Sequence, residues 1–581
     1  MGRRDRFDQQ LVRAAEPAST LVRAAAVLLA RQAGDALGAG ALNRLMLQRP
    51  RASGFAAGPR DFRPADPEVG RQILAGRFVL AGATMETGVG GDPWDRPSPS
   101  RLFALRLHRF SWAPDLLSVG EAGSRELLRQ FLAWRGLFDR ISAFAWGPDV
   151  LERRVYNLAC ASRRISAVAS DAEAQVLAQS LAVQARRLLQ FADAPPRAAE
   201  RLAAAAVAGA AVDGKAGERL LAVALPRLGR ALGVAVLPDG GLKSRSPEQG
   251  LELLLDLLTL DDVLLQRGRE APVEVARAID RLSGALRFFA LADGRLASFH
   301  GGEAGDPKRI DAARAQEEAE GRTYGYAPHS GYHRLSGPTL QVIVDAAPPP
   351  PGPWSVAACA QPGAIEVTAG RDRLVVNPGW SPDAAAPQAM RLTAAGSTAT
   401  LGDGSAGRPM TGFLARALGP RLAEGPTRVE ARRNENEGGV WLEVAQDGWA
   451  RTLGLIHERR LFLDPAADEL RGEDRFAPSA DTPKGGARYT PYAIRFHLHP
   501  EVQASIARDG KSVLLRGPSD RGWWFRNDAA EAVLEPTAWF EGGLPRRSVQ
   551  IVLRGNASST AGARVRWKLT PVEPDAPAKR T

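Results

Sequence analysis

The hydrophobic periodicity changes near residue 335, and this change constrains the fold more than any other feature of the sequence. Before that point, apolar residues recur every three or four positions, as they do on one face of a helix. After it, short apolar runs alternate with polar residues, which is typical of half-buried strands. The chain is therefore expected to fold as a helical half followed by a strand-rich half.

The first half is predicted to contain a series of helices. Ser170-Asp171 is a typical N-cap, and Asp213-Gly214 divides two alanine-rich segments. The predicted helices cover residues 124–138, 170–192, 197–212 and 216–235, followed by two that begin at Pro247 and Pro272. Repeated helical hairpins of this size predict a bundle, a solenoid or a toroid.

The second half is predicted to be an antiparallel β-sandwich. Turn residues such as Gly510, Gly517 and Gly555 separate short runs of alternating hydrophobicity. The runs cover residues 364–368, 373–377, 389–393, 428–432, 440–444, 454–464, 493–499, 512–516, 548–553 and 564–569. Many short strands of this kind argue for a sandwich rather than a parallel sheet.

Composition and charge exclude several classes of protein. The 581 residues include only two cysteines, Cys160 and Cys359, so no disulfide framework holds the fold together. No apolar run approaches the roughly 20 residues of a membrane-spanning helix. The net charge of +11 favours an acidic polymer as a partner, or reflects a general bias toward arginine. Since no block of like charges is interleaved with aromatic residues, nucleic acid is not an expected partner.

A set of motifs in this sequence is specific when taken together, although no single motif is. They are Gly76-Arg77-Phe78, Pro93-Trp94, residues 107–112, Asp115-Leu116, residues 146–148, 154–157, 238–247, 293–299, 330–335, 373–377, 472–474 and 495–500. In these motifs the chain resembles the heparinase II/III-like family. The resemblance implies an (α/α) toroid followed by a C-terminal antiparallel β-sandwich. Residues 1–100 are then expected to form an extended arm packed on the toroid, 101–328 the toroid and 329–575 the sandwich.

Enzymes of this family are polysaccharide lyases that cleave uronate-containing polymers by β-elimination. The reaction needs a cation or amide that neutralises the uronate carboxylate. It also needs a base that removes the C5 proton and an acid that protonates the leaving oxygen. The resemblance thus implies an acidic polysaccharide as the partner, with no cofactor required, while the oligomeric state stays open.

The sequence departs from the family at three catalytic positions. The resemblance implies an asparagine-histidine pair on a toroid helix, but residues 197–211 contain neither residue. It implies a tyrosine after Ser246-Pro247, where this chain has Glu248. At the start of the sandwich, where a histidine is usual, this chain has Cys359. The alternative function is therefore a non-catalytic protein that binds an acidic glycan or an envelope polymer on a lyase scaffold.

The loop at residues 239–247 is the first candidate site. Lys243 and Arg245 could bind a uronate carboxylate, and Arg245 could do so bidentately. The alternative is a solvated turn that caps the next helix. His300, at the end of a helix, is a candidate general acid because the pKa of histidine lies near neutrality; a hydrogen bond that orders the loop is the alternative.

Residues 330–334 are expected at the domain junction, where clefts are common. Tyr332 is the candidate base, Arg334 the candidate group that neutralises the carboxylate, and His333 a substrate-binding partner. On a strand, residues 332 and 334 share one face and residue 333 lies on the other, so the three cannot simply converge. Packing of Tyr332 between the domains is the alternative.

Cys359, His497 and His499 are candidate metal ligands. The two histidines alternate on one strand and so face the same side. Thiolate and imidazole are suitable zinc ligands, and a structural zinc or calcium ion is the cofactor considered. A half-buried, hydrogen-bonded histidine pair is the alternative interpretation.

The family resemblance places the protein in the cell envelope or periplasm. The cytoplasm is the alternative, because residues 1–6 carry positive charge without the apolar segment of a clear signal peptide.

Overall fold

The computed structural model describes residues 18–317, 321, 323–382, 388–480 and 487–572. Residues 1–6, on which the cytoplasmic alternative depends, lie outside these ranges, as do the ends of the expected arm and sandwich regions. Within them, helices precede strands as the periodicity predicts. The fold is an (α/α) toroid followed by an antiparallel β-sandwich.

Thirteen of the fifteen helices in the described ranges lie before residue 315, and two short ones lie in the second half of the chain. They are α1 (Ala18–Ala39), α2 (Ala41–Leu47), α3 (Pro67–Leu74), α4 (Arg101–His108), α5 (Ala113–Leu117), α6 (Glu121–Phe138), α7 (Pro148–Ser166), α8 (Asp171–Leu189), α9 (Ala198–Ala211), α10 (Gly214–Ala235), α11 (Pro247–Gln266), α12 (Val273–Phe289), α13 (Pro307–Arg314), α14 (Gly412–Leu418) and α15 (Ala450–Leu453). Their starts follow the predicted caps. Ser170 forms a capping box with Glu173, and the Asp213 side chain accepts the first N–H of α10.

Helix α9 is buried along its whole length from residue 199 to 211. It packs against α7, α8, α10 and α11. Residues 202–211 of this helix carry no polar side chain, and such a segment is stable only when it is surrounded in this way. Its small side chains permit close approach, since a Cβ on Gly209 would lie 2.9 Å from the Cβ of Leu220 on α10.

The N-terminal arm differs from the extended path expected of it. Its described part contains the helices α1 to α3 and a hairpin of two short strands. Residues 20–33 are rich in leucine and alanine and contain no proline, so helix propensity dominates locally. The proline-rich segments that favour extended chain lie elsewhere in the arm.

The strands form, for the most part, a sandwich of two antiparallel sheets. They are β1 (Arg77–Leu80), β2 (Ala83–Glu86), β3 (Tyr326–Ala327), β4 (Tyr332–Ser336), β5 (Leu340–Asp345), β6 (Ile365–Ala369), β7 (Asp372–Val376), β8 (Ala399–Leu401), β9 (Arg408–Pro409), β10 (Leu422–Glu424), β11 (Val429–Asn436), β12 (Gly439–Gln446), β13 (Leu455–Asp464), β14 (Glu469–Pro478), β15 (Tyr489–Leu498), β16 (Gln503–Ile506), β17 (Ser512–Arg516), β18 (Gly522–Asn527), β19 (Glu531–Glu541), β20 (Leu544–Ser558) and β21 (Ala563–Pro571). One sheet has the order β11-β12-β13-β14-β21-β18-β17-β16. The other has the order β19-β20-β15-β7-β6-β5-β4-β3, with β8 also paired to β15. Outside the sandwich, β1 with β2 and β9 with β10 form two separate two-stranded sheets.

The prediction of a strand at residues 389–393 is wrong. Two 3-10 turns, Gln388–Arg391 and Thr393–Ala395, occupy this segment. The cause is Arg391, whose buried guanidinium donates to the carbonyl oxygens of Ser355 at 2.7 Å and Ala358 at 2.8 Å. Turning the chain here brings the cation to these acceptors, which a strand would not do.

The two sheets of the sandwich have different surroundings. Strands β6 and β7 are buried along their whole length, on both faces, because the toroid covers the outer face of the nine-stranded sheet. In the eight-stranded sheet, buried and partly exposed side chains alternate, as in β13. That sheet therefore has one face toward solvent. Among the described helices, none is both long and apolar enough to cross a membrane.

Candidate functional site

Arg245 lies in the loop before α11, with a backbone φ of 62° that is uncommon for a residue with a side chain. Its side chain crosses from the toroid to the sandwich and is buried. One Nη2 proton goes to Asp345 Oδ1 at 2.5 Å. The other four N–H groups donate, at 2.7 to 3.2 Å, to the carbonyl oxygens of Ser330, Gly331, Ala347 and Pro348. All five N–H groups of the guanidinium are thus used within the protein.

Asp345, at the end of β5, also binds His300, whose Nε2 lies 3.0 Å from its Oδ2. The backbone N–H of Cys359 donates to Nδ1 of His300 at 3.2 Å, so the ring proton is on Nε2 and is donated to Asp345. Burial lowers the pKa of His300. Burial alone would raise the pKa of Asp345, but Arg245 and His300 hold it below its usual value. The histidine is therefore neutral and the aspartate charged.

Tyr332, the first residue of β4, completes this group, which we call the junction cluster (Arg245, His300, Tyr332 and Asp345). Its hydroxyl donates to the carbonyl oxygen of Arg245 at 2.6 Å, and the guanidinium lies 4.7 Å from its ring centroid. The ring also packs edge-on against Phe289 of α12. Because the side chain is fully buried, the pKa of its hydroxyl is well above the usual value. Deprotonation of this tyrosine is thus disfavoured.

The other candidates on β4 lie where the alternation predicts. Arg334 shares the face of Tyr332, toward α12, where its Nη1 donates to the carbonyl oxygens of Phe288 and Ala290 at 2.7 and 2.8 Å. A cation at the C-terminus of a helix is favourably placed for the helix dipole. His333 lies on the opposite face and stacks on Tyr326 at 4.5 Å. Burial lowers its pKa to about 4, so it is neutral.

Lys243 is separate from the junction cluster. Its Nζ lies 5.6 Å from the ring of Trp354, a cation–π contact. Of the predicted binding and catalytic residues, the structure therefore brings together Arg245, His300 and Tyr332. It leaves Lys243, His333 and Arg334 apart from them.

The three candidate metal ligands do not meet at one point. The backbone of Cys359 contacts His300, and burial raises the pKa of its thiol to about 11. The ring of His497 bonds to Thr537 through Nδ1 at 2.8 Å and to the carbonyl oxygen of Ala394 through Nε2 at 3.3 Å. His499 packs edge-on against a tryptophan. No group of three or more His, Cys, Asp or Glu that could hold a metal occurs within the described ranges; a structural zinc or calcium site stays a prediction.

A second contact joins the arm, the toroid and the sandwich. Glu248, at the start of α11, accepts the N–H of Glu303 at 2.8 Å. The Glu303 carboxylate accepts the N–H of Gly543, at the tip of the β19–β20 hairpin, at 3.0 Å. Next to it, Leu544 lies against Gly82 of the arm, where a Cβ would come within 2.6 Å of Leu544 Cδ2. The hairpin therefore closes this side of the junction.

Sequence reasoning missed the acidic partners at the junction. One of them is Asp345, the last residue of β5. Asp293 and Glu366 bind Arg373 at 2.8 and 3.0 Å, and all three groups are largely buried between the toroid and the sandwich. The sequence does offer one indication, which is a carboxylate at the end of an apolar strand. Because such a carboxylate is expected to be buried, it needs a cation as its partner.

Two shallow surface cavities lie away from the junction cluster. One, of about 320 Å³, is lined by residues that include Asp239, Arg281 and Tyr324. The other, of about 210 Å³, lies on the eight-stranded sheet beside Trp441. None of the predicted catalytic, binding or metal-ligating side chains lines either cavity.

Comparison with known proteins identifies the family. A family model for the heparinase II/III-like C-terminal region matches residues 319–568. The FtsZ-localized protein C of Caulobacter vibrioides is 54% identical over 534 residues, which cover 91% of this chain and 92% of that protein. The chain belongs to the heparinase II/III-like family.

Solved structures of lyases in this family have the same fold. Heparinase III matches with a TM-score of 0.68 and 13% identity, covering 94% of this chain and 91% of its own. The heparan sulfate lyase HepC from Pedobacter heparinus matches with a TM-score of 0.53 and 16% identity, covering 91% and 87%. Likeness at these identities concerns the fold alone. This heparinase II/III-like chain thus has the scaffold of a polysaccharide lyase.

Proposed function

We propose that this protein is a non-catalytic member of the heparinase II/III-like family that associates with FtsZ. The absence of catalysis is inferred from Arg245, because all five N–H groups of its guanidinium donate to other groups of the protein. The 54% identity to FtsZ-localized protein C, over nine-tenths of both chains, supports the association with FtsZ.

The junction cluster lacks the free groups that β-elimination requires. A group that neutralises a uronate must have free N–H donors, and those of Arg245 all donate to the protein. A tyrosine that acts as a base needs a hydroxyl that the substrate can reach and a pKa low enough for deprotonation. The hydroxyl of Tyr332 is buried, donates to a carbonyl oxygen and has a raised pKa. His300 uses both ring nitrogens. These groups act as a fixed contact between the domains.

Cleavage of a uronate-containing acidic polysaccharide is the second candidate function, and the likeness to heparinase III favours it. In that case Tyr332, His300 and Arg334 would be catalytic and an acidic polysaccharide the partner. The substrate would then have to open the junction cluster to reach Arg245. The departures at Glu248 and Cys359 count against this function.

The proposed association also bears on localisation. In this proposal the protein shares the compartment of FtsZ, the cytoplasm, rather than the cell envelope that the lyase resemblance implies. Fluorescence microscopy of a tagged full-length chain in its own organism, with FtsZ labelled in a second colour, tests this part directly.

Binding of the full-length protein to immobilised FtsZ tests the central proposal. Heparinase III is a suitable control because it has the same fold over 91% of its chain. We expect saturable binding of this protein and none of heparinase III. An absence of binding, or equal binding of the two proteins, would refute the proposed function.

A further inference from the structure

The solvent-facing side of the eight-stranded sheet carries an unusual row of side chains. The register of β11, β12, β13, β14, β21 and β18 aligns Asn434, Trp441, Phe462, Arg471, Lys568 and Arg526. We call this the cationic row. It contains no carboxylate, and its three cations lie on neighbouring strands, about 5 Å apart. Such spacing concentrates positive charge on a flat, accessible surface.

An aromatic platform lies at one end of the cationic row. Trp441 is 49% exposed, and its ring stacks on Phe462 with centroids 4.5 Å apart. The cavity of about 210 Å³ lies beside Trp441, between Arg432 and Arg460. The hollow is lined by three arginines and one carboxylate, that of Glu443. An exposed tryptophan beside such a mainly cationic hollow suits an apolar side chain whose neighbours are acidic.

The charges of the sheet face are incompletely paired. In the adjacent row, cations and carboxylates alternate, and Arg460 binds Glu443 at 2.9 Å. In the cationic row, by contrast, Glu469 serves both Arg471 and Lys568, and Asp464 lies 3.6 Å from Arg471. Arg526 and Arg432 form no ion pair with any residue of the described ranges. The face is left with exposed positive charge that a partner can neutralise.

We propose that this face docks an extended acidic polypeptide segment of a partner protein. Its carboxylates would lie along Arg471, Lys568 and Arg526, and one apolar side chain would lie on Trp441. The distance from Arg526 to Trp441 crosses five strands, about 19 Å, which matches about six residues of extended chain. The choice of a polypeptide rests on the proposed function, in which the partner is a protein.

Charge reversal tests the docking surface in the full-length protein. The variant Arg432→Glu with Arg526→Glu reverses two cations without breaking an ion pair. The matched control, Arg230→Glu with Arg277→Glu, makes the same change of net charge on α10 and α12, at exposed arginines that also lack a described ion pair. Trp441→Ala removes the platform. The probes are poly-L-glutamate and, as an acidic glycan, polygalacturonate, measured by fluorescence anisotropy at two salt concentrations.

We expect the wild-type protein to bind poly-L-glutamate more weakly at the higher salt concentration. The sheet variant should lose about tenfold in affinity and Trp441→Ala several-fold, while the control changes less than about twofold. Equal losses in the sheet variant and the control, or no loss in either, would overturn the proposal. So would binding of polygalacturonate alone, because the face would then serve a glycan.

The same variants separate this inference from the proposed function. If the wild-type protein binds poly-L-glutamate through the cationic row but does not bind FtsZ, the docking surface stands and the association with FtsZ fails. If the sheet variant binds FtsZ as tightly as the wild-type protein does, the association stands and FtsZ is not held at this face; the proposal that this face docks the partner is then overturned.

Discussion

Replacement of Asp345 by asparagine is expected to destabilise the contact between toroid and sandwich strongly. Arg245 and Asp345 are each more than nine-tenths buried, and their side chains approach to 2.5 Å. Asparagine keeps the shape of aspartate but removes the charge, which leaves the Arg245 cation buried without a counter-ion. Loss of one partner from a buried pair typically costs about 3–5 kcal/mol of the free energy of unfolding.

A double-mutant cycle distinguishes this pair from two independent residues. The single variants are Asp345→Asn and Arg245→Met, and the third protein carries both changes. Because the charge and its partner disappear together, the double variant should cost much less than the sum of the two singles, with a coupling energy of about 2 kcal/mol or more. Urea unfolding of the full chain, followed by tryptophan fluorescence, gives the midpoint of the earliest transition. Additive effects, or single losses below about 1 kcal/mol, would refute the role of the junction cluster.

Three further predictions concern the same region. Tyr332→Phe removes a buried hydrogen bond to Arg245 and should cost about 1–2 kcal/mol in urea unfolding; an unchanged midpoint would contradict this. Burial raises the pKa of Glu248 to about 7, so its stabilising effect is present at acidic pH and lost as the pH rises through 7. Glu248→Gln should therefore be neutral near pH 5 and stabilising by about 1–3 kcal/mol above pH 8, and no difference across a pH series would count against it. Gly543 has a φ of 84°, and its backbone N–H donates to Glu303. Gly543→Ala should therefore lower the thermal midpoint by the equivalent of about 1 kcal/mol. An unchanged midpoint in calorimetry would contradict this prediction.

The order of elements was readable from the sequence because periodicity is a local property. The break at Asp213-Gly214 and the capping box at Ser170 correspond to helix ends in the structure. The segment 389–393 could not be read in this way, since its conformation depends on carbonyl oxygens more than thirty residues away that bind Arg391. Local patterns predict elements well where distant side chains do not compete.

The candidate site was only partly readable for the same reason. Alternation on β4 correctly separated His333 from Tyr332 and Arg334. It could not show that Arg245 meets Asp345, because a hundred positions separate them and neither position signals its partner. A cationic loop beside a domain junction has the same sequence pattern whether it binds a ligand or another part of its own chain.

Ultraviolet absorbance tests most directly whether this lyase scaffold is catalytic. β-Elimination creates a C4–C5 double bond in uronate products, so a panel of uronate polymers incubated with the purified protein reports cleavage, with heparinase III as the positive control. We predict no rise in absorbance on any polymer of the panel, including those that heparinase III cleaves. A rise that disappears in the folded Tyr332→Phe or His300→Ala variant would contradict the proposal and establish a lyase whose site opens at the junction cluster.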